Sequence, residues 1–136
     1  MRWLVVLLLS LLGFVMGFIT LLHVGLRMEQ LIWLFVFLLN AFLIFQFTEE
    51  RHFGHGFITG LLSCVWVVVI HLLYYGKYIY NHPDIALLNT RLERGFNPKF
   101  ALLIIELTKS FFYALMNGIF AMMVGAGLRK YYEDRR

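Results

Sequence analysis

The chain has 136 residues, 61% of them hydrophobic and 15% charged, with a net charge of +4 and a mean hydropathy of +0.77. A soluble domain of this size cannot hide that much apolar surface, which excludes an ordinary globular fold and leaves a polytopic membrane protein. The positive charges stand mostly at the ends of apolar runs, a placement that suits membrane anchoring better than nucleic-acid binding.

Four apolar runs approach or exceed the roughly 20 helical residues that a span requires, at about 3–25, 30–48, 54–77 and 99–127. The expected fold is all-α: one membrane domain over residues 1–136, a four-transmembrane-helix bundle with a short amphipathic helix between spans three and four. A β-barrel would alternate polar and apolar residues, and these runs do not. None of the four contains proline, which favours unbroken helices.

The first run, "RWLVVLLLSLLGFVMGFITLLHVG", is too long for a signal peptide and lacks a small-x-small cleavage site, so it is expected as a retained span. The turn "LRMEQ" that follows is short enough to make spans one and two antiparallel neighbours. Span two, "LIWLFVFLLNAFLIFQF", is the shortest run and carries no charge. The link "TEERHFGHG" offers Glu49, Glu50, His52 and His55, a set that could ligate a divalent cation. Histidines in a polar loop are more often simply solvated, and no metal is expected. Span three contains Cys64, the single cysteine, so no intramolecular disulfide or cysteine cage can form. Tyr74, Tyr75, Tyr78 and Tyr80 then form an aromatic belt, with Trp3 and Trp33 near other span ends.

Residues 78–98 are the one substantial extramembrane piece. Pro83 suits the first turn of a helix over about 83–94 and Gly95 its stop. Ile85, Leu88 and Leu92 share one face, and Asp84, Arg91 and Arg94 fall largely away from it. Asn97 and Pro98 read as N-cap and first-turn residue of span four. Arg2, Arg51, Arg129, Lys130, Arg135 and Arg136 lie on one side of the membrane; Arg27, Lys77, Arg91, Arg94 and Lys99 lie on the other. The compact basic tail "RKYYEDRR" tilts the orientation toward cytoplasmic termini.

Span four carries Glu106 and Lys109 three residues apart, on one helix face. Counted from the nearest flanking cation at 1.5 Å per residue, Glu106 lies roughly 10 Å deep, His71 roughly 9 Å, His23 roughly 6 Å and Lys109 roughly 15 Å. All four fall in one leaflet, and His71 and Glu106 can hydrogen-bond if spans three and four touch. Intramembrane ionisable groups invite a functional hypothesis by default, here an ion, proton or ligand site. The alternatives are an internal ion pair that fixes helix register with Lys109 snorkelling, or contact with a partner subunit. His23 and His71 also raise axial haem ligation, but their depths differ and no other such pair exists, so no cofactor is expected. No Ser-His-Asp, phosphate-cradling or HExxH pattern is present, and no catalytic residue is assigned.

Gly13 and Gly17 form a GxxxG pair in span one, and Gly56 and Gly60 another in span three. Gly118, Ala121 and Gly125 give span four a similar small face, and such faces let helices approach closely. Asn40 and Asn117, deep in spans two and four, are candidate interhelical partners.

The stretch "HFGHGFITGLLSCVWVVVIHLLYYGKYIYNHPD", with Phe53, Gly54, Gly56, Gly60 and Pro83-Asp84, together with "MNGIFAMMVGAGLRK", resembles the bacterial four-span proteins grouped as domain of unknown function 4199. The resemblance implies a four-helix protein of the bacterial inner membrane with cytoplasmic termini, and it supplies no activity. The expected function is that of an integral membrane interaction or accessory protein, not an enzyme. Its partners would be the lipid bilayer and either other membrane subunits or further copies of itself, without nucleic acid. The alternative is a small oligomeric transporter of an ion, proton or small molecule that uses the outer-leaflet polar cluster.

Overall fold

The computed structural model describes residues 2–22, 26–92 and 97–134, and every regular element among them is an α-helix. Three helices, α2 (Leu26–Phe47), α3 (His52–Leu73) and α6 (Pro98–Glu133), are long and apolar enough to cross a membrane. The first helix, α1 (Trp3–Ile19), is equally apolar but has 17 residues, a length of about 26 Å. The first apolar helix therefore closes earlier than residue 25. Thr20 is its C-cap, with its backbone N–H on the Met16 carbonyl and its hydroxyl folded back on the same oxygen. His23 lies outside the described residues.

The third span also ends sooner than 77. The chain leaves helical geometry at Tyr74 and resumes as α4 (Tyr75–Asn81). Pro83 then opens α5 (Pro83–Leu92) at its first position, where a missing N–H costs nothing. A proline also disfavours helical backbone in the residue before it, so α4 stops at Asn81 and His82 is extended at φ −127°, ψ 76°. Asn97 caps α6 by accepting from the Lys99 N–H at 3.0 Å, with Pro98 in the first turn. From there α6 runs unbroken for 36 residues, about 54 Å, well beyond the ~30 Å of a hydrocarbon core.

The central pair of the bundle is α3 with α6; α1 packs on the far side of α3 and α2 on α6. Although α1 and α2 are consecutive in the chain, they touch each other little. The reason lies in the small residues. A Cβ at Gly13 would fall on the Ser63 backbone, and one at Gly17 would stand 2.6 Å from Ile70 Cδ1. At Gly56 it would meet Ala121 Cβ at 2.7 Å, and at Gly60 the Ala114 Cα at 2.7 Å. Gly118 faces Phe53, and Gly125 faces the His52 ring. At Gly13, Gly56 and Gly60 the nearest atoms include backbone, which cannot move aside for a Cβ, so the small faces select α1–α3 and α3–α6 as the tight contacts. Bulky side chains fill the looser seams: Met16, Trp33, Val36, Phe37 and Val67 form one cluster, and Leu21, Ile70, Tyr78 and Leu102 another. The outward faces stay apolar, as with Leu4, Leu7, Leu8 and Leu11 of α1. Exposed apolar surface on that scale fits a lipid environment.

Candidate functional site

The ends of α1, α3 and α6 and the start of α4 enclose a polar cluster in an otherwise hydrocarbon interior. Glu106 is at its centre, its side chain 4% exposed. One carboxylate oxygen, Oε2, lies 3.2 Å from His71 Nδ1. The other accepts from the Tyr78 hydroxyl at 3.0 Å and from Lys109 Nζ at 3.0 Å. Lys109 also donates to the Tyr78 oxygen at 3.3 Å. On the far side of the imidazole, His71 Nε2 is 2.7 Å from Thr20 Oγ1.

Local sequence explains the convergence. Glu106 and Lys109 stand one turn apart on α6, and the side chains lean toward the helix N-terminus. After the break at Tyr74 the chain resumes as α4, whose last residue, Asn81, donates to the Leu21 carbonyl just beyond α1 at 2.6 Å. Tyr78 is buried, its ring stacked on His71 with centroids 3.8 Å apart. Burial first, then the Glu106 carboxylate, push the Tyr78 phenol well above its ordinary range, so it remains a donor. Tyr78 in turn packs on His82, whose Nε2 lies 3.9 Å from Glu29 Oε2 on α2. The cluster thus ties together five of the six described helices, α1, α2, α3, α4 and α6.

The arrangement has a definite proton capacity. A neutral His71 donates from Nδ1 to Glu106 and accepts the Thr20 hydroxyl at Nε2. A doubly protonated His71 instead donates from both nitrogens. The Thr20 proton then turns to the Met16 carbonyl, 2.8 Å away. Both states use the same heavy-atom positions. Beside the cluster lies a cavity of about 10 Å³, bordered by Glu29, Trp33, Cys64, Lys109 and Tyr113. That is the lower limit for one water molecule. The Trp33 indole N–H has no partner among the described residues.

The structure brings Glu106, Lys109 and His71 of the sequence-predicted cluster together. Thr20, Tyr78, Glu29 and His82 were not singled out by sequence. Tyr78 looked like one more interfacial aromatic, and nothing in the string distinguishes it from Tyr80, which is 86% exposed. Thr20 carried a weak signal, a hydroxyl near the same span end as His71.

The second-loop set does not converge on a common point. His55 is engaged at both nitrogens, Nδ1 with the Arg51 carbonyl at 3.0 Å and Nε2 accepting from the Arg2 backbone N–H at 3.1 Å. His52 Nε2 lies 3.2 Å from the Thr48 carbonyl. Among the described residues no group of three or more His, Cys, Asp or Glu side chains gathers in metal-binding geometry. Deeper in the bundle, Asn40 donates to Asn117 at 3.4 Å, and Asn117 donates to the Gly56 carbonyl at 2.7 Å. The buried Cys64 thiol points to the Ser110 carbonyl at 3.8 Å. These contacts join helices and leave no reactive group exposed.

Compared with known proteins, the chain matches no family model, no curated protein and no solved structure.

Proposed function

We propose that the chain is an integral membrane interaction or accessory protein: a four-span bundle that acts as a subunit of a larger membrane complex or as a homo-oligomer. The observation that carries this reading is the closure of the polar cluster. Both Glu106 oxygens and both His71 nitrogens have partners within the chain. The adjoining cavity, about 10 Å³, gives no room for a solute path. A closed network of this kind fixes how helices register against one another. Its residues then specify a rigid scaffold, and the apolar outward faces of α1 and α2 remain for lipid or for a neighbouring subunit.

The fourth span in this reading is α1, whose 17 apolar residues are extended by the turn over Thr20–Leu22. Location in a bacterial inner membrane with cytoplasmic termini belongs to the same proposal, as does kinship with the domain of unknown function 4199 proteins. Purification in mild detergent tests it, with the mass of the particle and its co-purifying subunits as the readout. A stable complex of defined stoichiometry is expected. A lone monomer without partners overturns the proposal.

A second reading, a small oligomeric proton or ion transporter, draws on one specific feature. Polar groups continue from Glu29 and His82 at the rim through Tyr78 to Glu106, His71 and Thr20. Proteoliposomes loaded with a pH-sensitive dye separate the two. Proton flux abolished by a folded Glu106→Gln variant would establish the transporter reading and remove the scaffold one.

A further inference from the structure

The opposite end of the bundle carries a feature that the scaffold reading does not use. A cleft of about 390 Å³ lies between the start of α1, the end of α2 and the last turns of α6. Its walls carry two guanidiniums, Arg2 and Arg129, and two carboxylates, Glu49 and Glu133. The arginines are anchored on the backbone that leaves α2. Arg2 Nη1 donates to the Phe47 carbonyl at 2.8 Å and Arg129 Nη2 to the Glu49 carbonyl at 2.7 Å. Each guanidinium has five N–H donors, so both keep donors to spare. Among the described residues neither arginine forms an ion pair with either carboxylate. Among the described residues, charges of both signs therefore face one cleft without an ion pair between them. Phe45 and Tyr132 add an aromatic wall, their rings parallel within 5° at 6.4 Å.

The position of the cleft narrows the ligand. Phe47 ends an apolar helix long enough to cross a membrane, and Arg129 begins the charged end of α6. Trp3, 59% exposed, stands beside Arg2 as an interfacial anchor would. In a bilayer this level is that of the lipid headgroups.

We propose that this cleft binds the headgroup of a phospholipid that carries both a phosphate and a primary ammonium. Arg2 and Arg129 take the phosphate through their free N–H donors. Glu49 and Glu133 accept from the ammonium, and the Tyr132 ring face adds a cation–π contact. A purely anionic headgroup would leave both carboxylates facing negative charge. A quaternary ammonium has no N–H to donate to them. The inference rests on the reading of the chain as an integral membrane bundle.

Native mass spectrometry of the full chain, released from micelles containing equal amounts of phosphatidylethanolamine, phosphatidylcholine and phosphatidylglycerol, tests it. Retention of phosphatidylethanolamine about tenfold above the other two is expected, the size of one good charged contact. Glu133→Lys, in the exposed last turn of α6, should abolish that preference and raise phosphatidylglycerol binding; if that variant does not fold, Glu49→Gln reads the same contact. Equal binding of all three lipids, preference for either of the others, or a pattern unmoved by these substitutions overturns the inference. If the chain stays soluble without detergent, the membrane reading itself fails. If it enters micelles but shows no headgroup preference, only the cleft assignment fails.

Discussion

Glu106→Gln is the sharpest probe of the polar cluster. The substitution keeps the volume and removes the charge. Three contacts converge on the carboxylate, from His71, Tyr78 and Lys109. Side-chain hydrogen bonds between membrane helices average about 0.6 kcal/mol each, so the two that cross helices, from His71 and Tyr78, amount to roughly 1.2 kcal/mol, about an eightfold change in the folding equilibrium. The Lys109 charge adds little, because its side chain is 31% exposed and can swing toward the interface. Unfolding of the purified protein by sodium dodecyl sulfate in mixed micelles measures the loss. A double-mutant cycle with His71→Ala sharpens it, since residues in one network couple by at least about 0.5 kcal/mol. A loss below about 0.5 kcal/mol for Glu106→Gln, or strict additivity with His71→Ala, would refute the claim that the cluster holds the helices together.

The glycines divide into two kinds. Gly13→Ala puts a methyl onto the Ser63 backbone, and Gly60→Ala sets one 2.7 Å from the Ala114 Cα; each should cost about 1–3 kcal/mol in the same unfolding assay. Gly127→Ala has open space around it and should be neutral or stabilising by up to about 1 kcal/mol; equal losses at all three sites would argue against the packing assigned to α1, α3 and α6. The Tyr78 phenol is raised in the folded state by burial and by Glu106. Its contribution is therefore full below the ordinary phenol range near pH 10 and declines as pH rises beyond it. Tyr78→Phe should flatten the decline, and an identical alkaline profile in the variant would contradict the assignment. Four spans place both ends of the chain on one side of the membrane. In a Cys64→Ala background, cysteines at Trp3 and Glu133 should label from the same face of sealed vesicles; labelling from opposite faces excludes an even number of spans.

Much of the helical layout was legible because membrane helices are written in runs. Hydropathy alone locates α2, α3 and α6. The ends were less legible, for two physical reasons. Thr20 and Tyr74 close α1 and α3 within apolar sequence, where hydropathy continues but helical backbone does not. Neighbour choice was also hidden. A short turn brings α1 and α2 together in sequence, while the glycines at 13 and 17 send α1 to α3. Both signals were present in the string, and backbone proximity decided in favour of the glycines. The long α6 shows the converse: Gly118, Gly125 and Gly127 sit within an unbroken helix because the first two are spent on contact with Phe53 and His52.

The depth argument from 1.5 Å per residue was enough to set His71 against Glu106, since both are counted along rigid rods from a common surface. It did not reach Tyr78, which lies beyond the break at Tyr74 where the regular helix ends. Tyr78 also bears on why a carboxylate and an ammonium are tolerated inside α6, since its hydroxyl contacts both. Tyr78 follows His71 by about two helical turns, on the same face, and in α4 its ring lies on His71 and its hydroxyl on Glu106. Charge inside this bundle is therefore stabilised across a helix break that contains no proline, and the residues to alter in order to loosen the cluster include Tyr74.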